Sequence, residues 1–182
     1  MTTFSQAGQD IFVRRIFGHG HKGTFLDIGC AGDQFSNTLA LEQEGWTGTL
    51  VDCDSNAARG RKSKFICEDA TKIDFSFLPP YVDYLSLDVD EASYRALEKL
   101  PMDKTRFGVI TIEHDAYRFG DNLRIPERNM LTTLGYVNVC QDVCATEGAP
   151  FEDWFCSEKL LASAKPFRFK GANKLYTEIL GL

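Results

Sequence analysis

Residues 24–38 (TFLDIGCAGDQFSNT) constrain this chain more than any other stretch. Thr24 to Ile28 has the length and apolar content of a buried strand, Gly29 and Gly32 mark a tight turn, and Ser36 is a favoured N-cap. Leu39, Ala40 and Leu41 supply the apolar face of the helix that follows, and Gly45 closes it. A strand running through a glycine turn into a helix is how doubly wound sheets bind nucleotide-like cofactors. Lacking a Cβ, glycine lets the backbone turn sharply and lie close to a ligand. A glycine pair alone also suits an ordinary strand–turn–helix corner, so the remaining segments decide between the two.

Those segments alternate. Ser5 to Phe17 is predicted as a helix stopped by Gly18 and Gly20, and His19 and His21 lie in the solvated loop that follows. Thr49 to Val51 is a second strand ending on Asp52-Cys53-Asp54, with Asp54 or Ser55 capping a helix over 57–62. Lys64 to Cys67 is a third, ending on Glu68-Asp69-Ala70, and Val82 to Leu87 a fourth, ending on Asp88-Val89-Asp90. A helix through Tyr94, Leu97 and Leu100 leads to a fifth strand, Phe107 to Ile112, which ends in Glu113-His114-Asp115. A longer helix is expected from about Pro126, at its first turn, to Gly135 as its C′ residue. Tyr136 to Val143 and Phe151 to Cys156 read as an antiparallel hairpin at one edge.

Strands that alternate with helices pair in parallel, because parallel neighbours need crossover connections. The expected fold is therefore α/β: a single Rossmann-like domain over 1–182, with a seven-stranded, mostly parallel sheet and helices on both faces. In such sheets ligands sit off the carboxyl ends of the strands. Each of the first five strands ends in a glycine turn or an acid: Gly29, Asp52, Asp69, Asp88 and Glu113. Together they describe one edge suited to a polyhydroxylated, cationic or metal-bearing ligand. Asp52, about twenty residues past the glycine turn, is placed to accept hydrogen bonds from ribose hydroxyls. Asp69 can accept from the exocyclic amine of a purine, with the N–H of Ala70 donating to the ring. A pyrophosphate needs G-x-G-x-x-G, whereas this chain has Gly29-Cys30-Ala31-Gly32-Asp33, and Asp33 repels phosphate. S-adenosylmethionine carries a sulfonium and an amino group and no phosphate, so the acidic edge suits it better.

The ordered segments resemble the FkbM-type family of class I S-adenosylmethionine-dependent methyltransferases. The likeness runs over residues 5 to 156 through Ser5-Gln6-Ala7-Gly8-Gln9-Asp10, Thr24 to Gly29, Ser36-Asn37-Thr38, Gly45-Trp46-Thr47-Gly48 and Val51-Asp52. It continues through Tyr84 to Asp90, Ile112-Glu113-His114 and Leu134-Gly135-Tyr136. This resemblance implies methyl transfer to a hydroxyl oxygen of a small molecule or sugar. It implies Gly29 near the methionine part, Asp52 at the ribose, Asp69 at the adenine and Asp88 near the transferred methyl. Asp27, Gly32, Asn37, Cys53 and Ala70 complete the expected cofactor set. The family keeps a further glycine near Asp33 and more often has Asp-Val-Glu-Gly where this chain has Asp88-Val89-Asp90-Glu91.

A sugar-like hydroxyl is a poor nucleophile and needs a base or a metal. One reading makes His114 the general base, with Asp88 and Glu113 beside it. A second makes Asp88, Asp90 and Glu113, with or without His114, ligands of Mg²⁺ or a similar hard ion. A third leaves Asp88 and Asp90 as helix caps and His114 as a structural donor. Residues 157–182 read as a basic extension carrying Lys159, Lys165, Arg168, Lys170 and Lys174 with Phe167 and Phe169, suited to an anionic acceptor such as a phosphorylated sugar or an RNA end, or more simply to a solvated tail or an oligomer contact. A net charge of −6 disfavours a broad nucleic-acid surface, and a cofactor-binding protein without catalysis is the remaining class. The six cysteines show no C-x-x-C pair and several sit in apolar runs, so buried thiols and a cytoplasmic protein are expected. No apolar run is long enough to cross a bilayer.

Overall fold

The computed structural model describes residues 3–32, 34–168 and 173–182. Its centre is a seven-stranded sheet in the order β3-β2-β1-β4-β5-β7-β6. The strands are β1 (Thr24–Ile28), β2 (Thr47–Asp52), β3 (Lys64–Cys67), β4 (Tyr81–Leu87), β5 (Arg106–Glu113), β6 (Tyr136–Cys144) and β7 (Pro150–Ser157). The first five pair in parallel, and β7 enters antiparallel between β5 and β6. This is the mostly parallel Rossmann-like sheet with an antiparallel edge hairpin that the alternation of segments predicts. Strand order reverses between β1 and β4, so the switch point of the sheet falls at the carboxyl ends of those two strands.

Side chains divide between the two faces with the period of two that a strand imposes. Phe25, Tyr84 and Val109 join one apolar cluster, under α1 (Gln9–Phe17) and α2 (Leu39–Gln43). Leu26, Leu85 and Ile110 join the other, under α3 (Ser93–Lys99) and, beyond the short α4 (Ala116–Phe119), α5 (Asp121–Thr133). Phe12 of α1 stacks on Trp154 of β7 with ring centroids 4.5 Å apart, tying the first helix to the antiparallel edge. The segment after residue 156 packs into the same core, rather than trailing from it. Ala164 of α6 (Leu161–Ala164), Phe167, and Ile179 and Leu180 of α7 (Tyr176–Leu180) are buried beside Phe12 and Trp154. Lys174 pairs with Glu178, and Phe169 and Lys170 lie outside the described residues.

Three local expectations are corrected. The first helix starts at Gln9 and not Ser5, because Ser5 bridges Phe35 and its hydroxyl donates to Asp10. Residues 57–62 form successive i to i+3 turns in place of a helix, since Arg61 is drawn off to Ser36, Thr38 and Glu42. Pro126 lies inside α5: the helix begins at Asp121, after the bend at Gly120. Four cysteines are buried, whereas Cys53 and Cys67 are exposed. No helix among the described residues is long and apolar enough to cross a membrane.

Candidate functional site

At the switch point the sheet opens into a cavity of about 590 Å³. Gly29, Asp52, Cys53, Asp69, Ala70, Asp88 and Asp90 line it, drawn from the ends of four parallel strands. Register explains the convergence. Ile28 is opposite Val51 and Leu87, and Asp52 is opposite Cys67, so the residues that follow emerge side by side. Gly29 donates its N–H to Val51 at 2.8 Å while Asp88 donates to Ile28 at 2.9 Å, which cinches β2, β1 and β4 at the cavity floor. Gly29 has φ +82°, and a Cβ there would fall 1.6 Å from the Asp88 carbonyl oxygen. Only glycine fits this crossing.

Each acid has its own setting. One Asp52 carboxylate oxygen accepts the N–H of Asp54 at 2.9 Å; the other lies 3.5 Å from the N–H of Ala31. Asp69 is held low, at about 2, by the hydroxyl and N–H of Thr71 and by Lys72. Asp88 is half-buried beside Glu113, which is half-buried too. Burial, then the Asp88 carboxylate, then Asp115 and Glu152 push Glu113 well above the usual carboxylate range, and burial raises Asp88 as well, so the two carboxyl groups favour sharing a proton.

Asp27 and Asn37 do not reach the cavity wall. They form a buried polar layer behind it, where Asp27 accepts from the Thr38 hydroxyl and the Asn37 amide donates to Ser86 Oγ at 3.0 Å. One oxygen of each, Asp27 Oδ1 and Asn37 Oδ1, has no hydrogen-bond donor among the described residues. Burial, opposed by Thr38 and Arg61, raises Asp27 to about 6. Gly32 lies in the loop between this layer and Ala57, and Asp33 is outside the described residues.

His114 is fully occupied elsewhere. Its Nδ1 accepts the N–H of Ala116 at 3.1 Å, which leaves the proton on Nε2, directed to Asp153 at 3.3 Å. Asp153 also accepts from Arg128, Asn138 and the N–H of Asp142. Burial works against the Asp153 charge, but Arg128 and His114 outweigh it and hold the group at about 2. This network binds α5 to β6 and β7, and His114 does not line the cavity. The structure thus gives His114 the surroundings of a structural donor and leaves it without a free nitrogen for a base.

The acids expected to hold a metal rearrange as well. Asp90, Glu113 and Asp115 bring ligand atoms within 4.8 Å of one another, with Asp88 hydrogen-bonded to Glu113 behind them. Arg118 already supplies a cation there, 2.9 Å from Asp90 and 2.8 Å from Asp115. With Asp90 and Asp115 both paired to Arg118, the cluster is a poor donor set for Mg²⁺. Asp115 had a visible signal in the Glu113-His114-Asp115 run. Arg118 and Arg95, which lines the cavity from α3, had none, because a helical cation reads as a solvated face.

Backbone strain gathers at the same edge. Among the described residues six that are not glycine have left-handed backbone, and four of them, Ala31, Phe35, Asp90 and Asp115, lie in the loops leaving β1, β4 and β5. Such a conformation costs an L-residue on the order of 1–2 kcal/mol.

No family model matches the chain, and no curated protein matches it. Solved structures share its fold. A TehB-like SAM-dependent methyltransferase from Corynebacterium glutamicum matches with a TM-score of 0.58 at 18% identity, over 84% of this chain and 88% of that one. The O-methyltransferase from Bacillus cereus in complex with SAH matches with a TM-score of 0.56 at 14% identity, over 82% and 80%. An rRNA methylase from Streptococcus thermophilus matches with a TM-score of 0.57 at 12% identity, over 81% and 93%. At these identities the likeness is one of fold, and the FkbM-type resemblance rests on its motifs alone.

Proposed function

We propose that the chain is an S-adenosylmethionine-dependent methyltransferase that methylates a hydroxyl of a small molecule or sugar. The observation that carries this reading is the convergence of Gly29, Asp52, Asp69 and Asp88 on one cavity at the switch point. The residues present fit the cofactor. The Gly29–Asp88 crossing keeps side chains off the floor, and the acids favour a cation and hydroxyls over phosphates. The strained loops around the cavity support a functional edge, since such strain persists where the fold over-determines it. Fold likeness to methyltransferases adds to this.

In this reading Asp52 accepts from the ribose, Asp69 and the Ala70 N–H address the adenine, and Cys53 walls the purine side. Gly29 and Gly32 carry the backbone past the methionine part, with Asp27 and Asn37 supporting that loop from behind. When bound, the cofactor supplies an electrophilic methyl on a sulfonium, and orientation of the two reactants contributes up to about 7–11 kcal/mol. Asp88 receives the acceptor's proton. Its partner Glu113 is raised well above the usual carboxylate range and favours keeping its own proton, so the pair can become doubly neutral as the hydroxyl gives its proton up. Arg118 holds Asp90 and Asp115 in their strained loops beside the pair.

Calorimetry with S-adenosylhomocysteine tests the cofactor, followed by transfer of labelled methyl groups to a panel of hydroxylated acceptors. Saturable binding that weakens in Asp52→Ala, together with alkali-stable label on a hydroxyl, is the expected result. Absence of saturable binding by the folded protein overturns the reading; transfer to RNA in preference to the panel replaces the acceptor.

A further inference from the structure

A second cavity, about 690 Å³, lies at the opposite edge of the sheet, where β1 and β2 begin. It is within the size range of small-ligand sites, ~300–1,000 Å³. Loop residues 18–22, just before β1, and Trp46, just before β2, form one wall; Ser163, Pro166 and Phe167 form the other. Trp46 and Phe167 belong to the packed core, and His21 locks the first wall. Its ring stacks on Phe17 at 4.8 Å, meets Trp46 edge-on at 5.3 Å, and its Nε2 lies 3.3 Å from Asp83. The apolar surface is therefore fixed in place before any ligand arrives.

The rim is cationic. Arg15 and Lys22 line it beside His19, and neither cation has a carboxylate partner among the described residues. Arg15 spends one donor on the Leu180 carbonyl, and the Lys22 side chain lies across Gly45, 3.5 Å from where a Cβ would be. The acid in the lining, Glu44, is engaged by Arg14 at 2.8 Å, and Arg14 is further paired with Asp10. In a chain of net charge −6, an apolar cleft ringed by uncompensated cations is matched to an anion.

We infer that this cavity binds an organic phosphate, a dianionic phosphate ester whose apolar body packs against Trp46, Pro166 and Phe167. The guanidinium fork of Arg15 suits two phosphate oxygens, and Lys22 adds a compact charge. The site shares no lining residue with the carboxyl-edge cavity, so it stands whether or not the chain transfers methyl groups.

Isothermal titration of the full chain with phenyl phosphate, benzoate and inorganic phosphate tests this. Phenyl phosphate is expected to bind saturably, about tenfold or more tighter than either other probe. The Arg15→Gln/Lys22→Gln protein should lose about tenfold or more of that affinity, with its response to S-adenosylhomocysteine unchanged at temperatures where it is folded. Lys22→Gln alone, which leaves the Arg15–Leu180 contact intact, should lose part of it. No saturable binding, equal affinity for benzoate, indifference to both variants, or competition by S-adenosylhomocysteine overturns the inference.

Discussion

The backbone of Gly29 and the carbonyl of Asp88 pass so closely that no Cβ can stand between them: its nearest approach would be 1.6 Å. Gly29→Ala must push β4 away from β1 at the cavity floor and adopt φ +82° as well. The expected loss exceeds about 2 kcal/mol, with no S-adenosylhomocysteine binding at temperatures where the variant is folded. Gly32→Ala is the control. At φ +69° its Cβ meets nothing nearer than 3.8 Å, so only the conformational cost of about 1–2 kcal/mol applies. Urea midpoints of the two variants separate collision from conformation, and similar midpoints would count against the crossing.

Asp52 presents a carboxylate to the cavity while making only one short contact, to the Asp54 N–H. Asp52→Ala is expected to lower S-adenosylhomocysteine affinity by roughly ten- to a hundredfold, the worth of one charge-assisted hydrogen bond. The thermal midpoint should move little, because the residue is half-buried in a loop edge. Calorimetry and a melting curve on the same sample decide; a large drop in midpoint with unchanged affinity defeats the assignment.

His114→Ala is expected to act on stability. Removing the ring strips one donor from Asp153 and one acceptor from the Ala116 N–H in a fully buried network. That costs roughly 2–3 kcal/mol. Cofactor affinity should be retained, and turnover per folded molecule should stay within a few-fold of the parent. Turnover abolished in a sample shown by circular dichroism to be fully folded would return the base role to His114.

The strand ends were legible because each is a short chemical punctuation mark, an acid or a glycine, after an apolar run. Parallel pairing then leaves no choice but to set Gly29, Asp52, Asp69 and Asp88 beside one another. What His114 does was not legible. Its partners Asp142 and Asp153 come from a hairpin some thirty to forty residues on, and the bulged register of β6 against β7 decides which side chains turn inward. The start of α5 was missed for a similar reason. Pro126 suits a first turn, yet the preceding turn forms anyway because Arg124 caps back to Asp121 and reaches Asp142. The C-terminal segment reads as basic, and its buried apolar residues, Ala164, Phe167, Ile179 and Leu180, fall in two short clusters too brief to announce a core element.

Glu127 carries the last prediction. It is 1% exposed on α5, and neither carboxylate oxygen has a hydrogen-bond partner among the described residues. Burial, then the Asp153 charge, push it up to about 8, against the pull of Arg128. The folded protein therefore keeps this proton up to about pH 8, whereas the unfolded chain releases it near the ordinary 4.5. Between those values the native state binds more protons, so this group's contribution to stability is whole below pH 4.5 and falls as pH rises, levelling off above about 8. Glu152, also raised to about 8, slopes the same way, while Asp153, held at about 2, loses its contribution only in acid. Glu127→Gln keeps the shape of the protonated side chain and removes its titration. Urea unfolding of both proteins at pH 5, 7 and 8.5 should show the variant gaining on the parent by about 3 kcal/mol over that span, at no more than about 1.4 kcal/mol per pH unit. A difference that stays constant with pH would mean that Glu127 is already ionised in the folded chain, and that a donor reaches it which the packing of α3 on α5 does not supply.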